Sequence, residues 1–247
     1  TVKNAIITGA SRGIGEAMAL RLGQMGYNVV VNYRSNSSRE LAEALAARLK
    51  EEHGVEAIAV QADVSRYEDC EKLVQAAVDA FGEKIDVLVN NAGMNSRSPF
   101  CELAREKYTA VLETNLLSAF HMCHFVVPYM VKANGGCVIS TSSIGGLMGV
   151  ANQADYCASK AGLIGMTRAL AMEFGKQNIR FNCICPGMIW TDMLRGVNQD
   201  EVAALAQAIP MGKIGNVEDI ANAMEFLIKD EYMTGQYVSP NGGIYMP

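Results

Sequence analysis

The chain reads as an α/β protein, a single domain on a doubly wound parallel sheet of about seven strands with helices on both faces. Three observations lead there. Short apolar runs alternate with segments of helical periodicity from end to end. Most of those runs are continuous rather than alternating, the pattern of strands covered on both faces. The 247 residues also carry no low-complexity tract, no repeat beyond the strand–helix unit and no compositional break that would mark a linker.

Taken in order, the first strand is Asn4–Thr8, apolar through Ala5-Ile6-Ile7 and stopped by a glycine turn. Helix Ile14–Met25 follows, then strand Asn28–Asn32 around three consecutive valines. Helix Ser38–His53 leads to strand Glu56–Gln61, and helix Arg66–Phe81 to strand Ile85–Asn90. Ser65 and Glu68 have the spacing of a capping box for the third helix. Helix Tyr108–Lys132 precedes strand Cys137–Thr141, helix Gln153–Lys176 precedes strand Arg180–Cys185, and helix Val217–Ile228 precedes strand Tyr237–Ser239. Two stretches break the rhythm, Met94–Glu102 and Pro186–Gly215, and both follow strands. Long irregular segments in a compact domain are usually functional, and ligands of open α/β sheets bind beyond the strand C-termini.

Composition narrows the function. Half the residues are hydrophobic and 19% are charged, which excludes a disordered or fibrous chain. With 21 basic against 26 acidic residues the formal charge is −5, against the basic patch of a nucleic-acid binder or a polybasic membrane anchor. No leader peptide or membrane-length apolar window is read in the sequence. The seven cysteines (Cys70, Cys101, Cys123, Cys137, Cys157, Cys183 and Cys185) lie mostly in apolar periodic segments, as reduced buried thiols of a cytoplasmic protein would. Cys183 and Cys185 are expected to point to opposite sheet faces, and no metal site is expected.

The turn Thr8-Gly9-Ala10-Ser11-Arg12-Gly13-Ile14-Gly15 joins the first strand to the first helix. Glycines let the backbone turn tightly and approach a pyrophosphate, and a helix N-terminus offers free N–H groups and the positive end of a dipole. The spacing is G-x-x-x-G-x-G. This turn, then Asn90-Asn91-Ala92-Gly93, then Tyr156-Cys157-Ala158-Ser159-Lys160, then Pro186-Gly187, resembles the short-chain dehydrogenase/reductase family over the whole chain. The ending Asn241–Met246 and the stretch Pro186–Met193 are most similar to its 3-oxoacyl-[acyl-carrier-protein] reductases. The resemblance implies a Rossmann-like fold, a nicotinamide cofactor and oxidoreductase chemistry.

The cofactor is expected to be NADP(H). NAD enzymes place a carboxylate at the end of the second strand, but here that strand runs into Val31-Asn32-Tyr33-Arg34-Ser35. Arg34 and Arg12 are placed to bind a 2′-phosphate through charge-assisted bonds. The resemblance further implies adenine contacts from Asp63 and Val64. It places Gly9, Ser11, Gly13, Ile14 and Gly15 at the pyrophosphate and Asn91, Ala92 and Gly93 beside the cofactor. Pro186, Gly187, Ile189 and Thr191 are implied at the nicotinamide carboxamide or phosphate.

Tyr156 and Lys160 are four apart in a helical segment and share a face. A Lys ammonium nearby favours a phenolate, so the pair is expected to lower the tyrosine's pKa toward proton-transfer use. Alone, such a pair is common on ordinary helices. The resemblance makes Tyr156 the general acid/base and Lys160 a partner of the nicotinamide ribose. It makes Ser143 the residue that holds the substrate carbonyl, preferred over Ser140 and Ser142, and gives Asn115 a water of the proton relay.

The substrate implied is a 3-oxoacyl thioester on acyl carrier protein. The stretches expected to steer that acidic carrier at the site entrance hold only Lys132 and Lys176, with Asn134 and Gln177 where arginines are anticipated. A substrate-binding lid is expected at about 188–215, with Met188, Trp190, Met193 and Leu194 lining it and Met94 and Met148 facing the same cleft; Trp190 is the leading candidate for a substrate wall. The alternatives are a short-chain dehydrogenase acting on a free ketone or alcohol such as a hydroxysteroid, a sugar or acetoacetyl-CoA, and a cofactor-binding regulator without turnover. Helices Tyr108–Lys132 and Gln153–Lys176 carry surplus apolar surface, and Ala158, Ala161, Gly162 and Gly165 permit close packing, so a homotetramer is expected.

Overall fold

The computed structural model describes residues 2–191 and 198–247. Its sheet has seven strands in the order β3-β2-β1-β4-β5-β6-β7, every pair parallel. The strands are β1 (Lys3–Ile7), β2 (Tyr27–Tyr33), β3 (Ala57–Gln61), β4 (Val87–Asn90), β5 (Gly136–Thr141), β6 (Ile179–Ile184) and β7 (Tyr237–Val238), each close to its sequence-expected span.

Side-chain alternation explains the double winding. Ala5, Ile7, Val29, Val31, Val87, Val89 and Ile139 point to one face, where helices α1 (Gly13–Gln24), α2 (Arg39–His53) and α9 (Val217–Lys229) cover them. Ile6, Val30, Leu88, Val138 and Phe181 point to the other, under α3 (Tyr67–Phe81), α5 (Ser118–Ala133) and α7 (Ala154–Phe174). Both sets are buried, so the strands need no polar alternation. Cys183 and Cys185 sit together in the second layer, which corrects the expectation of opposite faces: strand alternation repeats every two residues, so positions two apart share a face.

Four further expectations are corrected. The expected helix Tyr108–Lys132 is three joined pieces, α4 (Arg105–Leu112), a π-turn (Glu113–Leu117) and α5. This continuous segment, Arg105–Ala133, is long and apolar enough to cross a membrane by length and composition, contrary to the window reading; half of its most apolar window is buried within the domain. Pro186–Gly215 is not irregular throughout, because α8 (Gln199–Gln207) forms within it, capped by Asn198 Oδ1 accepting from the Asp200 N–H at 3.0 Å. The Ser65–Glu68 capping box does not form. Asp63 Oδ1 instead accepts from the Ser65 N–H at 3.1 Å and its hydroxyl at 2.7 Å, an Asx-type turn that consumes the capping hydroxyl. Two short helical pieces, the 3-10 turn Phe100–Glu102 and α6 (Gly145–Met148), follow β4 and β5 respectively. The expected lid residues Met193 and Leu194 lie outside the described residues.

Candidate active site

The strand order reverses between β1 and β4, and the crevice at that switch point is where a doubly wound sheet binds ligands. The glycine turn after β1 and the Asn90–Gly93 turn after β4 are stitched together there. Thr8 Oγ1 accepts from the N–H groups of Asn91 and Ala92, both at 3.0 Å, and Asn91 Nδ2 donates to the carbonyls of Thr8 and Gly9, both at 3.1 Å. A Cβ on Gly15 would stand 2.3 Å from the Gly9 carbonyl oxygen and 2.7 Å from Asn91 Nδ2. Gly9 and Gly13 adopt left-handed φ angles of 61° each, which an L side chain rarely tolerates. Asn32, which the sequence reading did not single out, ties the second strand in: its Oδ1 accepts from the Gly9 N–H and its Nδ2 donates to the carbonyls of Val60 and Ala62. A buried Asn closing an all-valine run was the available signal.

Across the crevice, β5 and α7 build a polar wall. Ser143, Tyr156 and Lys160 line one cleft with Ile14, Asn91, Gly93, Met94, Pro186, Gly187, Ile189 and Thr191. The three nearby serines separate by their bonds. Ser140 Oγ accepts from Asn90 Nδ2, and Ser142 Oγ donates to the Lys160 carbonyl at 2.7 Å. Ser143 Oγ accepts from the Gly145 N–H, at 3.0 Å, and its own hydroxyl proton faces the cleft on the Tyr156 side. Lys160 is buried; its Nζ donates to the Thr141 carbonyl at 2.7 Å and lies 5.7 Å from the centre of the Tyr156 ring. Burial lowers the Lys160 pKa to about 8. Burial also raises the Tyr156 pKa, with the Ser143 hydroxyl pulling against it. This corrects the expectation of a lysine-depressed tyrosine: desolvation dominates, and Ser143 supplies the opposing pull.

Asn115 sits in the π-turn, a distortion often found at functional sites. Its amide is bonded at both ends: Oδ1 accepts from the Met94 N–H at 2.7 Å, and Nδ2 donates to the Met94 carbonyl at 2.9 Å and to Ser159 Oγ at 3.0 Å. The side chain therefore clamps the loop after β4. Gly162 is packed against Leu116 of the same turn, where a Cβ would come within 2.8 Å, so this small residue serves packing inside the chain.

The remaining expected residues divide. Arg12 and Arg34 are exposed, Arg12 at the start of α1 and Arg34 directly after β2. Ser11 is buried at the turn and Val64 is buried beside it in sequence from Asp63. Gly187 packs against Asn241, whose Cα a Cβ would approach to 2.6 Å. Trp190 is half exposed and lines a separate cavity with Arg12, Leu41 and Arg48, so the structure does not bring it to the Ser143–Tyr156 cleft. Met148 is exposed and Met188 lines a different cavity; of the expected methionines among the described residues, Met94 alone borders the cleft. Lys132 in the last turn of α5 and Lys176 just after α7 stand at the sheet edge where strands begin, opposite the cleft, and Lys132 pairs with Glu83.

A dinucleotide suits these residues. Helix α1 starts without a side-chain cap, so its first N–H groups are left for an anion. Thr191 Oγ1, in the cleft wall, is buried with no partner among the described residues. Gly93 brings the backbone close to Lys160 and Asn115: a Cβ there would stand 3.4 Å from Lys160 Nζ and 3.3 Å from Asn115 Oδ1.

Residues 9–245 match a family model described as Enoyl-(Acyl carrier protein) reductase. The chain is similar to the protein named 3-oxoacyl-[acyl-carrier-protein] reductase FabG of Staphylococcus epidermidis, 39% identical over 246 residues and covering 99% of each chain. It is 39% identical over 249 residues to the 3-oxoacyl-[acyl-carrier-protein] reductase of Synechocystis, covering 100% of this chain and 98% of that one. Against the FabG protein of Chlamydia trachomatis the identity is 38% over 244 residues, covering 98% of this chain and 97% of that one.

Proposed function

Because the chain belongs to the short-chain dehydrogenase/reductase family of oxidoreductases, which use a nicotinamide cofactor, we propose that it reduces 3-oxoacyl thioesters of acyl carrier protein with NADPH. The observation that carries this reading is the joint placement of Ser143, Tyr156 and Lys160 on one cleft beside the uncapped helix α1. Near-full-length similarity to relatives named for that substrate supports its identity.

When bound, the reduced nicotinamide supplies hydride to the carbonyl carbon. Ser11, Gly13, Ile14 and Gly15 would hold the pyrophosphate through backbone N–H groups, while Gly9, whose own N–H is taken by Asn32, lets the turn approach it closely. Arg12 and Arg34 hold a 2′-phosphate, Asp63 and Val64 border the adenine, and Asn91, Ala92 and Gly93 flank the ring side with Pro186, Gly187, Ile189 and Thr191. Ser143 Oγ donates a hydrogen bond to the substrate carbonyl oxygen and stabilises the negative charge that develops there. Tyr156 Oη gives its proton to that oxygen as general acid. A raised tyrosine pKa suits an acid: the phenol stays protonated until the alkoxide forms. Lys160, charged below about pH 8, provides the positive charge that stabilises the phenolate left behind.

One domain performs both binding and chemistry in this reading, with segment 188–215 bordering the substrate and Trp190 at its outer side. The α5–α7 face leaves Phe120 and Val131 exposed at an apolar groove, which supports self-association, in this reading as a homotetramer; the cytoplasm is the location proposed for it.

The test is NADPH oxidation with acetoacetyl-CoA and with a 3-oxoacyl carrier protein, with crotonyl-CoA and NADH run beside them. Turnover of the 3-oxo substrates with NADPH is expected. Turnover of crotonyl-CoA alone would move the activity to double-bond reduction, and none with any thioester would favour a free ketone or alcohol. Preference for NADH would overturn the roles of Arg12 and Arg34.

A further inference from the structure

We propose that Ser96 and Asp155 are positioning residues that latch the substrate-side loop to the turn carrying Tyr156, and so set the cleft for carbonyl reduction. The inference rests on the reductase reading above. Asp155 is a buried carboxylate next to Tyr156 in the first turn of α7. Its Oδ1 accepts from the Tyr156 N–H at 2.8 Å, and its Oδ2 accepts the Ser96 hydroxyl. Burying a carboxylate is costly unless it is hydrogen-bonded, and the positive end of the α7 dipole offsets part of that cost.

Ser96 lies on the loop that leaves β4, where Met94 and Asn95 line the cleft with Tyr156. The same two segments meet twice more. Gln153 Nε2 donates to Asn95 Oδ1 at 2.7 Å, and the Ser98 N–H donates to the Asn152 carbonyl at 2.9 Å. Those flanking contacts are at or near the surface, whereas the Ser96–Asp155 bond is partly buried and ends on the residue before the proton donor. Asn115 fixes the loop's other end by clamping Met94. The loop is thus held at Met94 by the π-turn and at Ser96 by the helix that presents Tyr156. Loss of the second hold frees the wall against which a carbonyl is aligned, and small misplacements of this kind are costly in rate.

The test uses S96A, D155A, the double variant and D155N, the last of which keeps the link with Oδ1 accepting from the Tyr156 N–H and Nδ2 donating to Ser96 Oγ. With acetoacetyl-CoA, kcat is expected to fall about tenfold in each alanine variant, no further in the double variant, and little in D155N. NADPH affinity, read by fluorescence titration, is expected to be unchanged. Additive losses, an equal loss in D155N, or unchanged kcat in the alanine variants would overturn the proposal. If D155A does not fold, S96A against S96T makes the same comparison from the loop side. Amide exchange over residues 94–99 separates this proposal from the reductase reading, since it needs no turnover. Faster exchange in S96A with an inactive wild type would keep the latch and reject the substrate; unchanged exchange would reject the latch.

Discussion

The glycine turn of β1–α1 and the polar wall of β5–α7 face the same crevice but are built in opposite ways. At the turn nearly everything depends on missing atoms: Gly9 and Gly13 take left-handed φ angles, and Gly15 leaves no room for a Cβ beside the Gly9 carbonyl. At the wall everything depends on side chains that are present, buried and bonded. Ser142 and Lys160 cross-link strand to helix, and Ser143 and Tyr156 are left facing the cleft. The turn therefore tolerates no addition, and the wall tolerates no removal.

The sharpest way to break the comparison is Tyr156→Phe, which keeps the ring and removes the proton. The rate is expected to fall about 1,000-fold while NADPH still binds; a variant retaining a tenth of the activity would move the acid elsewhere. Next is Lys160, whose pKa falls from 10.5 to about 8 on burial. Between those values the unfolded chain binds more protons than the folded one, so this group's contribution to stability rises with pH. Urea unfolding should show wild type gaining about 3 kcal/mol on Lys160→Met between pH 8 and pH 10.5. The subtraction also cancels the opposite drift from buried thiols such as Cys70 and Cys183, each raised to about 12. A flat difference would mean that the ammonium is solvated.

Smaller effects belong to the turn and its edge. Gly15→Ala should cost about 2 kcal/mol of stability by overpacking and weaken cofactor binding with it, read by thermal denaturation and fluorescence titration together. Arg34→Ala should raise the KM for NADPH about tenfold, the scale of one charge-assisted bond at an exposed site, and leave the KM for NADH unchanged. Equal effects on both cofactors would assign Arg34 to general folding instead.

Much of the site was legible because its residues are close in sequence or carry steric demands that only one residue type meets. The glycine turn, the Tyr156–Lys160 pair and the strand ends belong to this class. Asn32, Ser142 and Asp155 were not singled out, since each acts on a partner far along the chain: Asn32 on Val60, Ser142 on Lys160, Asp155 on Ser96. The direction of Trp190 was not legible for the converse reason. A lone aromatic in a loop advertises contact but not direction, and its ring lines the Arg12–Leu41 cavity.

By itself the sequence determined the layers, the strand alternation and the crevice edge, because periodicity and turn chemistry are local properties of the chain. Only the tertiary structure decided which serine faces the cleft and where the carboxylate of Asp155 ends. It also decided that burial, more than the neighbouring lysine, governs Tyr156. Those outcomes depend on desolvation and on bonds between distant strands and helices, and neither exists until the sheet has closed around them.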